Sequence, residues 1–492
     1  MSGSQLKIPP PLSAQNKSSF AYKTIKDRLP FILVKTIDFL HRQRKELHKF
    51  GGIGIEQPGE KELAEIEQDA KLFISQITRL RKDVETNKEL TCLDKLSSEA
   101  LPVELEYFND DIELWNKSLE ANKLDNGTSM PRWFESPWLL VECYMYRKIK
   151  EAALNTMHLK MFDPFVEQKQ SSCKSALSQM ITIANHLQTV EEQVRASPKS
   201  THPSERSEFS LFMRLALWAN KCDLSISGLS AEKAQTQKFS SVSDIKEHLE
   251  ELNENILCDN MSEIWFKIQA IKDQMRSQES DGPAIYVDLV ADNAGYELFV
   301  DLCLIHFLTL VLCPMVTTDS RLKFRIHLKR MPWFVSDATQ QDLNWLLETM
   351  KAQNKDGSVL SELSSKWSSY LKSNLWEISA NRFWTFPHDY SEMKGVASDL
   401  YDQLGESRLI IFKGDLNYRK LVGDRQWHLL TPFRVALRGF EPAPLATLRT
   451  TKADVVVGIE DINIFARINN NELPRDWMIS GDYGLVQYLD PI

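Results

Sequence analysis

The chain has 492 residues, with 59 Lys plus Arg against 68 Asp plus Glu and a formal charge of −9. At roughly 150 residues per domain, that length allows about three domains or fewer, larger ones. Apolar residues make up 42% and aromatics 10%, which excludes disorder throughout; the acidic balance argues against a protein that wraps nucleic acid or coats anionic lipid.

In chain order, residues 1–18 read as a disordered tail without the apolar core of a signal peptide. From Lys26 the text is helical, with Leu29, Ile32, Leu33, Ile37 and Leu40 at three- and four-residue steps, and the pattern returns in Leu63, Ile66, Ala70, Phe73, Ile77 and Leu80. Ser136 and Pro137 suit the opening of a further helix. Residues 196–207 and 228–243 read as exposed loops around a helix near Leu211 to Ala219, and Asp244 with Glu247 fits a capping box. Seven cysteines are scattered without a CxxC, neither a disulfide framework nor a zinc pattern. Cys143 and Cys303 lie in apolar helical text as inert core thiols.

After about residue 280 the period changes. Residues 284–290 read as a buried strand, followed by a helix over 295–310. Residues 323–328, 408–414, 444–450 and 453–459 supply further strand text, with a helix from about Ala338 and another ending near Leu404. Strands alternating with helices imply a parallel sheet covered on both faces, so the fold class is α/β. The expected partition is a tail (1–18), a helical region (19–275) and an α/β domain (276–492), the last two able to pack as one globular unit. The apolar stretch Leu298 to Val316 carries Asp301, His306 and Thr309, which suits a buried helix better than a membrane span. A cytoplasmic protein without nucleic-acid or membrane partners is expected.

In open parallel sheets ligands sit beyond the carboxyl ends of the strands. Those ends carry Asp292-Asn293-Ala294-Gly295, Trp333-Phe334-Val335-Ser336-Asp337, Gly414-Asp415-Leu416-Asn417-Tyr418-Arg419-Lys420 and Arg449-Thr450-Thr451-Lys452. Asp292, Asn293 and Asp337 are hard oxygen donors suited to Mg²⁺ or Mn²⁺, and Arg419 and Lys452 suit phosphate. Oxygen-bound metal with phosphate-holding cations is the equipment of phosphoryl transfer. Each piece also has a bland reading: Asp, Asn and Ser after a strand are ordinary helix caps, and Asp337 with Gln340 fits one well. No GxxxxGK[ST], GxGxxG or GxSxG stands at a strand end, and ten histidines are dispersed without metal spacing.

At these same residues the chain resembles the damage-control phosphatase family, in the branch marked by an Arg-Thr-x-Lys motif, met here by Arg449-Thr450-Thr451-Lys452. The resemblance continues through Lys26-Asp27-Arg28-Leu29-Pro30, Glu142-Cys143-Tyr144-Met145-Tyr146-Arg147 and Trp218-Ala219-Asn220-Lys221-Cys222-Asp223-Leu224-Ser225, and spans roughly 20 to 490. It implies a helical N-terminal region packed on a Rossmann-like α/β/α sandwich with a mostly parallel sheet. It also implies metal-dependent hydrolysis of phosphate monoesters, with Mn²⁺, Co²⁺ or Ni²⁺ favoured and Mg²⁺ possible, on small phosphorylated metabolites such as fructose 1-phosphate. By position, Asp292, Asn293 and Asp337 resemble the metal ligands. Asp292, Asn293, Asp415, Leu416, Asn417, Tyr418, Arg419 and Lys452 resemble the substrate-binding set; Glu142 and Arg147 resemble a motif without an assigned role. Loops 196–207 and 310–325 look longer than the family pattern. The nucleophile expected is a metal-activated water, with a carboxylate as the alternative. Two rival functions are an S-adenosylmethionine-dependent protein-glutamate methyltransferase, associated with the same branch, and a non-enzymatic helical interaction protein.

Overall fold

The computed structural model describes residues 7–50, 58–96, 107–196, 204–226, 241–277, 282–313, 320–353 and 358–491. The helices that place the site are α1 (Leu29–Gln43), α2 (Glu60–Glu85), α3 (Trp138–Leu154), α4 (Leu177–Ala196), α5 (Glu205–Ile226), α6 (Met261–Ser277), α7 (Tyr296–Leu312), α8 (Gln340–Lys351), α9 (Val359–Lys372) and α10 (Gly414–Val422). Strands β1 (Ile256–Asp259), β2 (Ile285–Val290), β3 (Leu322–His327), β4 (Trp376–Ser379), β5 (Ser407–Lys413), β6 (Leu445–Thr450) and β7 (Gly484–Leu489) form one sheet in the order β1-β7-β6-β5-β2-β3-β4. All neighbours pair parallel except β6 with β7. The fold is therefore α/β with a mostly parallel sheet, as expected.

Because side chains alternate along a strand, each buried strand feeds two cores. In β5, Leu409 and Ile411 join one apolar cluster, while Ile410 and Phe412 join the other. The first cluster takes in α4 to α9; the second takes in α1, α2 and α3. The helical first half is thus split between the two faces, and β1 belongs to the sheet, so the sheet does not begin at the expected 275/276 division. Every residue of α7 is buried, and among the described residues no helix is long and apolar enough to cross a membrane.

The expected strands at 284–290, 323–328, 408–414 and 444–450 coincide with β2, β3, β5 and β6. The segment 453–459 is not a strand. Val455, Val456 and Val457 are buried, yet the nearby backbone donates to loops, from Gly458 to the Thr431 carbonyl and from Ile459 to the Leu429 carbonyl. The capping box around Asp244 is also shifted: Ser241 is the N-cap and Asp244 is its reciprocal partner. Residues 7–18, expected within a disordered tail, are part of the fold, for Pro11 bridges Arg425 and Ser13 bridges Pro137. Residues 1–6 and the middles of both long loops, 197–203 and 314–319, lie outside the described residues.

The chain runs from β2 outward through β3 to β4, then returns to β5 on the other side of β2. The strand order reverses between β2 and β5, which is where open sheets place their ligands.

Candidate active site

The turn after β2 and the segment after β3 are tied to each other. Asn293 and Asp337 form an antiparallel bridge. The Ala338 amide donates to the Asp292 carbonyl at 2.7 Å, and the Ala294 amide donates to the Ser336 carbonyl at 2.7 Å. Neither turn is spent on capping. The N-cap of α7 is Gly295, and that of α8 is Thr339 in a capping box with Asp342. Asp292, Asn293 and Asp337 are therefore free of the bland role that their positions allowed.

Asn293 donates its amide hydrogens to Asp292 Oδ2 at 2.9 Å and Glu297 Oε2 at 2.8 Å, while its Oδ1 accepts from the Ser336 hydroxyl. Asp337 Oδ2 is buried without a hydrogen-bond partner and stands 3.7 Å from Lys329 Nζ. Burial pushes the Asp337 carboxyl up to about 6, although Lys329 pulls it down. Burial, and then the neighbouring Glu297 and Asp337, hold the Asp292 carboxyl well above its usual range. A concentration of desolvated carboxylates is stabilised by a cation. Among the described residues no three His, Cys, Asp or Glu side chains converge on one point; the set is two carboxylates and an amide. Hard divalent ions held by one or two carboxylates complete their shell with water and substrate phosphate, so these donors fit such an ion.

Backbone strain keeps this floor in shape. Phe334 and the β-branched Val335 sit at φ 44° and 71°, a left-handed conformation that costs on the order of 1–3 kcal/mol each. Phe334 is held by stacking on Tyr146 with ring centroids 4.8 Å apart, which presents Ser336 to Asn293. Gly414 has φ +85° and a Cβ there would lie 1.9 Å from Asp292 Oδ2, so only glycine lets α10 start against the carboxylate.

The other strand ends complete a cavity of about 560 Å³ whose walls include Asp292, Asn293, Asp337, Asp415, Leu416, Arg419 and Lys452. Asp415 Oδ1 accepts from Arg449 Nε at 2.8 Å and from the Lys452 amide at 3.2 Å. Arg449 is itself buried and also donates to the Ala453 and Val455 carbonyls. The Arg-Thr-x-Lys sequence thus works by division of labour: Arg449 orients Asp415, while Lys452 faces the cavity, its ammonium 2.7 Å from Asn220 Oδ1.

Three expected substrate contacts need correction. Asn417 does not line the cavity; its amide donates to the Lys413 carbonyl at 2.7 Å and its oxygen accepts from the Tyr390 hydroxyl at 2.6 Å. Tyr418 is buried beneath Arg449, and its hydroxyl accepts from the Val457 amide at 3.1 Å. Both hold α10 in place. Arg419 lines the cavity, but its guanidinium forks onto Asp424 at 2.9 and 3.0 Å and bonds Glu142 at 2.8 Å. Its charge is already matched by two carboxylates. This gives Glu142 a role, whereas Arg147 is buried over the Phe108 ring and donates to the Phe108 carbonyl at 2.8 Å, away from the cavity wall. Glu297 was missed by sequence reasoning, although its place four residues after Asn293 is the spacing of facing helical neighbours.

The family model described as the damage-control phosphatase ARMT1-like domain matches residues 24–468. Relatives named Damage-control phosphatase ARMT1 include that of Homo sapiens, 37% identical over 490 residues that cover 99% of each chain. That of Xenopus tropicalis is 38% identical over 483 residues, covering 97% of this chain and 98% of the relative. That of Danio rerio is 38% identical over 486 residues, covering 98% and 97%. A crystal structure of a duf89 family protein from Pyrococcus horikoshii aligns with a TM-score of 0.36 and 15% identity over 79% of this chain and 91% of that one.

Proposed function

The chain belongs to the ARMT1-like damage-control phosphatase family, and from that premise we propose that its cavity hydrolyses phosphate monoesters of small metabolites, sugar phosphates such as fructose 1-phosphate among them, with a divalent cation on Asp292, Asn293 and Asp337. The ion favoured is Mn²⁺, with Co²⁺, Ni²⁺ or Mg²⁺ as substitutes. The single observation that supports this reading is the Asn293–Asp337 bridge, which sets donors from two strand ends side by side in the cavity that also holds Lys452 and Asp415.

When bound there, a divalent cation supplies charge withdrawal from a phosphoryl oxygen and a lowered pKa for a water. The remaining work belongs to the chain. Lys452 offers a point charge to a second phosphoryl oxygen, its ammonium positioned by the neutral Asn220 amide at 2.7 Å. Asp415, immobilised by Arg449, accepts a hydrogen bond from a sugar hydroxyl. Trp138, Ile32, Phe334 and Val335 add apolar surface to the wall, which strengthens the charge interactions beside it. Arg419 keeps α10 and α3 in register through Asp424 and Glu142.

Hydrolysis of an aryl phosphate with Mn²⁺ or with a chelator is the test. Turnover that needs the metal, and that falls by orders of magnitude in Asp337→Ala, is the expected result. Normal turnover by Asp337→Ala, or turnover indifferent to chelator, would sink the assignment.

A further inference from the structure

With Arg419 matched by Asp424 and Glu142, positive charge on the cavity wall has to be sought elsewhere. Arg28 ends the turn Thr24–Arg28 just before α1. It is exposed, lines the cavity, and its side chain makes no hydrogen bond or ion pair among the described residues. Lys35 lines the same cavity, also exposed, with its ammonium 4.8 Å from the Phe31 ring centre. Arg28, Phe31 and Lys35 recur at steps of three and four, the spacing of one helix face. They form a cationic lip with an aromatic between its charges.

The lip comes from the N-terminal helical region, whereas the carboxylate floor comes from the strand ends. The carboxylate on which Arg28 acts is Glu142, pushed up by burial and pulled down by Arg419 and then Arg28, and it is already bonded to Arg419 at 2.8 Å. A phosphoryl group held at the floor is met by the cation site and Lys452, which leaves Arg28 and Lys35 facing the cavity with no ion pair of their own among the described residues.

We propose that Arg28 and Lys35 bind a second anionic group, a phosphate or a carboxylate, carried by the substrate at the end remote from the scissile ester. The inference rests on the phosphatase reading above and narrows it to doubly anionic esters: sugar bisphosphates and phosphorylated sugar acids are the classes with that charge distribution. A cavity of about 560 Å³ falls within the range that engulfs a ligand with two separated polar ends.

The test compares a sugar 1-phosphate, its 1,6-bisphosphate and the corresponding phosphorylated sugar acid, by kcat/KM and by calorimetric binding. Wild type, R28Q, K35Q and the control K26Q are measured side by side; Lys26 is exposed, sits 5.7 Å from the Tyr22 ring and is not on the cavity wall. Wild type and K26Q should favour a doubly anionic ester by about tenfold, the size of one charge-assisted hydrogen bond. R28Q and K35Q should lose most of that preference, and whichever of the bisphosphate and the acid shows the larger loss identifies the second group. Equal preference in all four proteins would overturn the proposal. Turnover of no ester at all, aryl phosphate included, with the calorimetric preference intact, would instead overturn the phosphatase reading and leave the charge selectivity standing.

Discussion

Asp337 shows what a functional carboxylate costs. Its carboxyl is raised from 3.8 to about 6, mainly by burial. A carboxyl raised in the folded state favours the proton there, so the metal-free protein loses stability as pH climbs through that window and stays lower above it. At about 1.4 kcal/mol per unit, the cost near pH 7 is on the order of 3 kcal/mol. Asp337→Asn should therefore raise the melting temperature of the chelator-treated protein at pH 7 while abolishing hydrolysis, and Mn²⁺ should stabilise the wild type but not the variant. Thermal denaturation with and without metal checks both halves; a variant destabilised in chelator would refute the account. The strand-end sequence made Asp337 visible but left it equally readable as a cap, and only the capping box of Thr339 with Asp342 separates the two. Arg419 was legible as a cation and not as a spent one, because Asp424 and Glu142 come from the end of its own helix and from a helix 277 residues away.

Helices and strands were legible where burial period and hydrogen bonding agree, as in β2, β3, β5 and β6. They were misread where the two part company: residues 453–459 have the apolar run of a strand but give their backbone bonds to loops. β1 and β4, at four residues each, are too short to show a period. Helix α7 was legible because all its faces are apolar, and it makes a test at this scale. His306, in its middle, is fully buried, and the Trp367 indole donates to its Nδ1 at 3.3 Å, which leaves the proton on Nε2. Glu191 lies 3.6 Å from that nitrogen but is already paired with Lys366 and Arg195. Burial, with those two cations, lowers the imidazole from 6.5 to about 3. Below about pH 6.5 the unfolded chain gains a proton that the folded one refuses, so stability falls as pH drops toward 3. Between pH 7 and pH 5 the loss is about 2 kcal/mol. Urea midpoints of His306→Gln should fall less over that interval than those of the wild type, and parallel slopes would show that the imidazole takes no part.

Across the whole molecule, the segment around residues 9–13 ties two distant stretches of the chain together behind the site. The Leu12 amide donates to the Asp424 carbonyl at 2.8 Å, the Gln426 amide to the Pro10 carbonyl at 3.0 Å, and the Trp138 amide to the Leu12 carbonyl at 2.8 Å. Residues 9–13 thereby lace the segment holding Asp424 to the start of α3, which carries Glu142. These are the two carboxylates that fix Arg419. Polar composition and a single run of three prolines gave no hint of this, because the partners lie more than a hundred residues away and most of the bonds run between backbone groups, with the Arg425 guanidinium adding one to the Pro9 carbonyl at 2.8 Å. Deleting residues 1–13 leaves every cavity side chain in place but strips the Gln426 and Trp138 amides of their acceptors. Those amides should then exchange with deuterium faster, the buried Arg419 network should loosen with them, and kcat/KM for an aryl phosphate should fall severalfold while Mn²⁺ still stabilises the protein. Faster exchange at 424–426 with undiminished turnover would show that the N-terminal lacing serves the fold without reaching the active cavity.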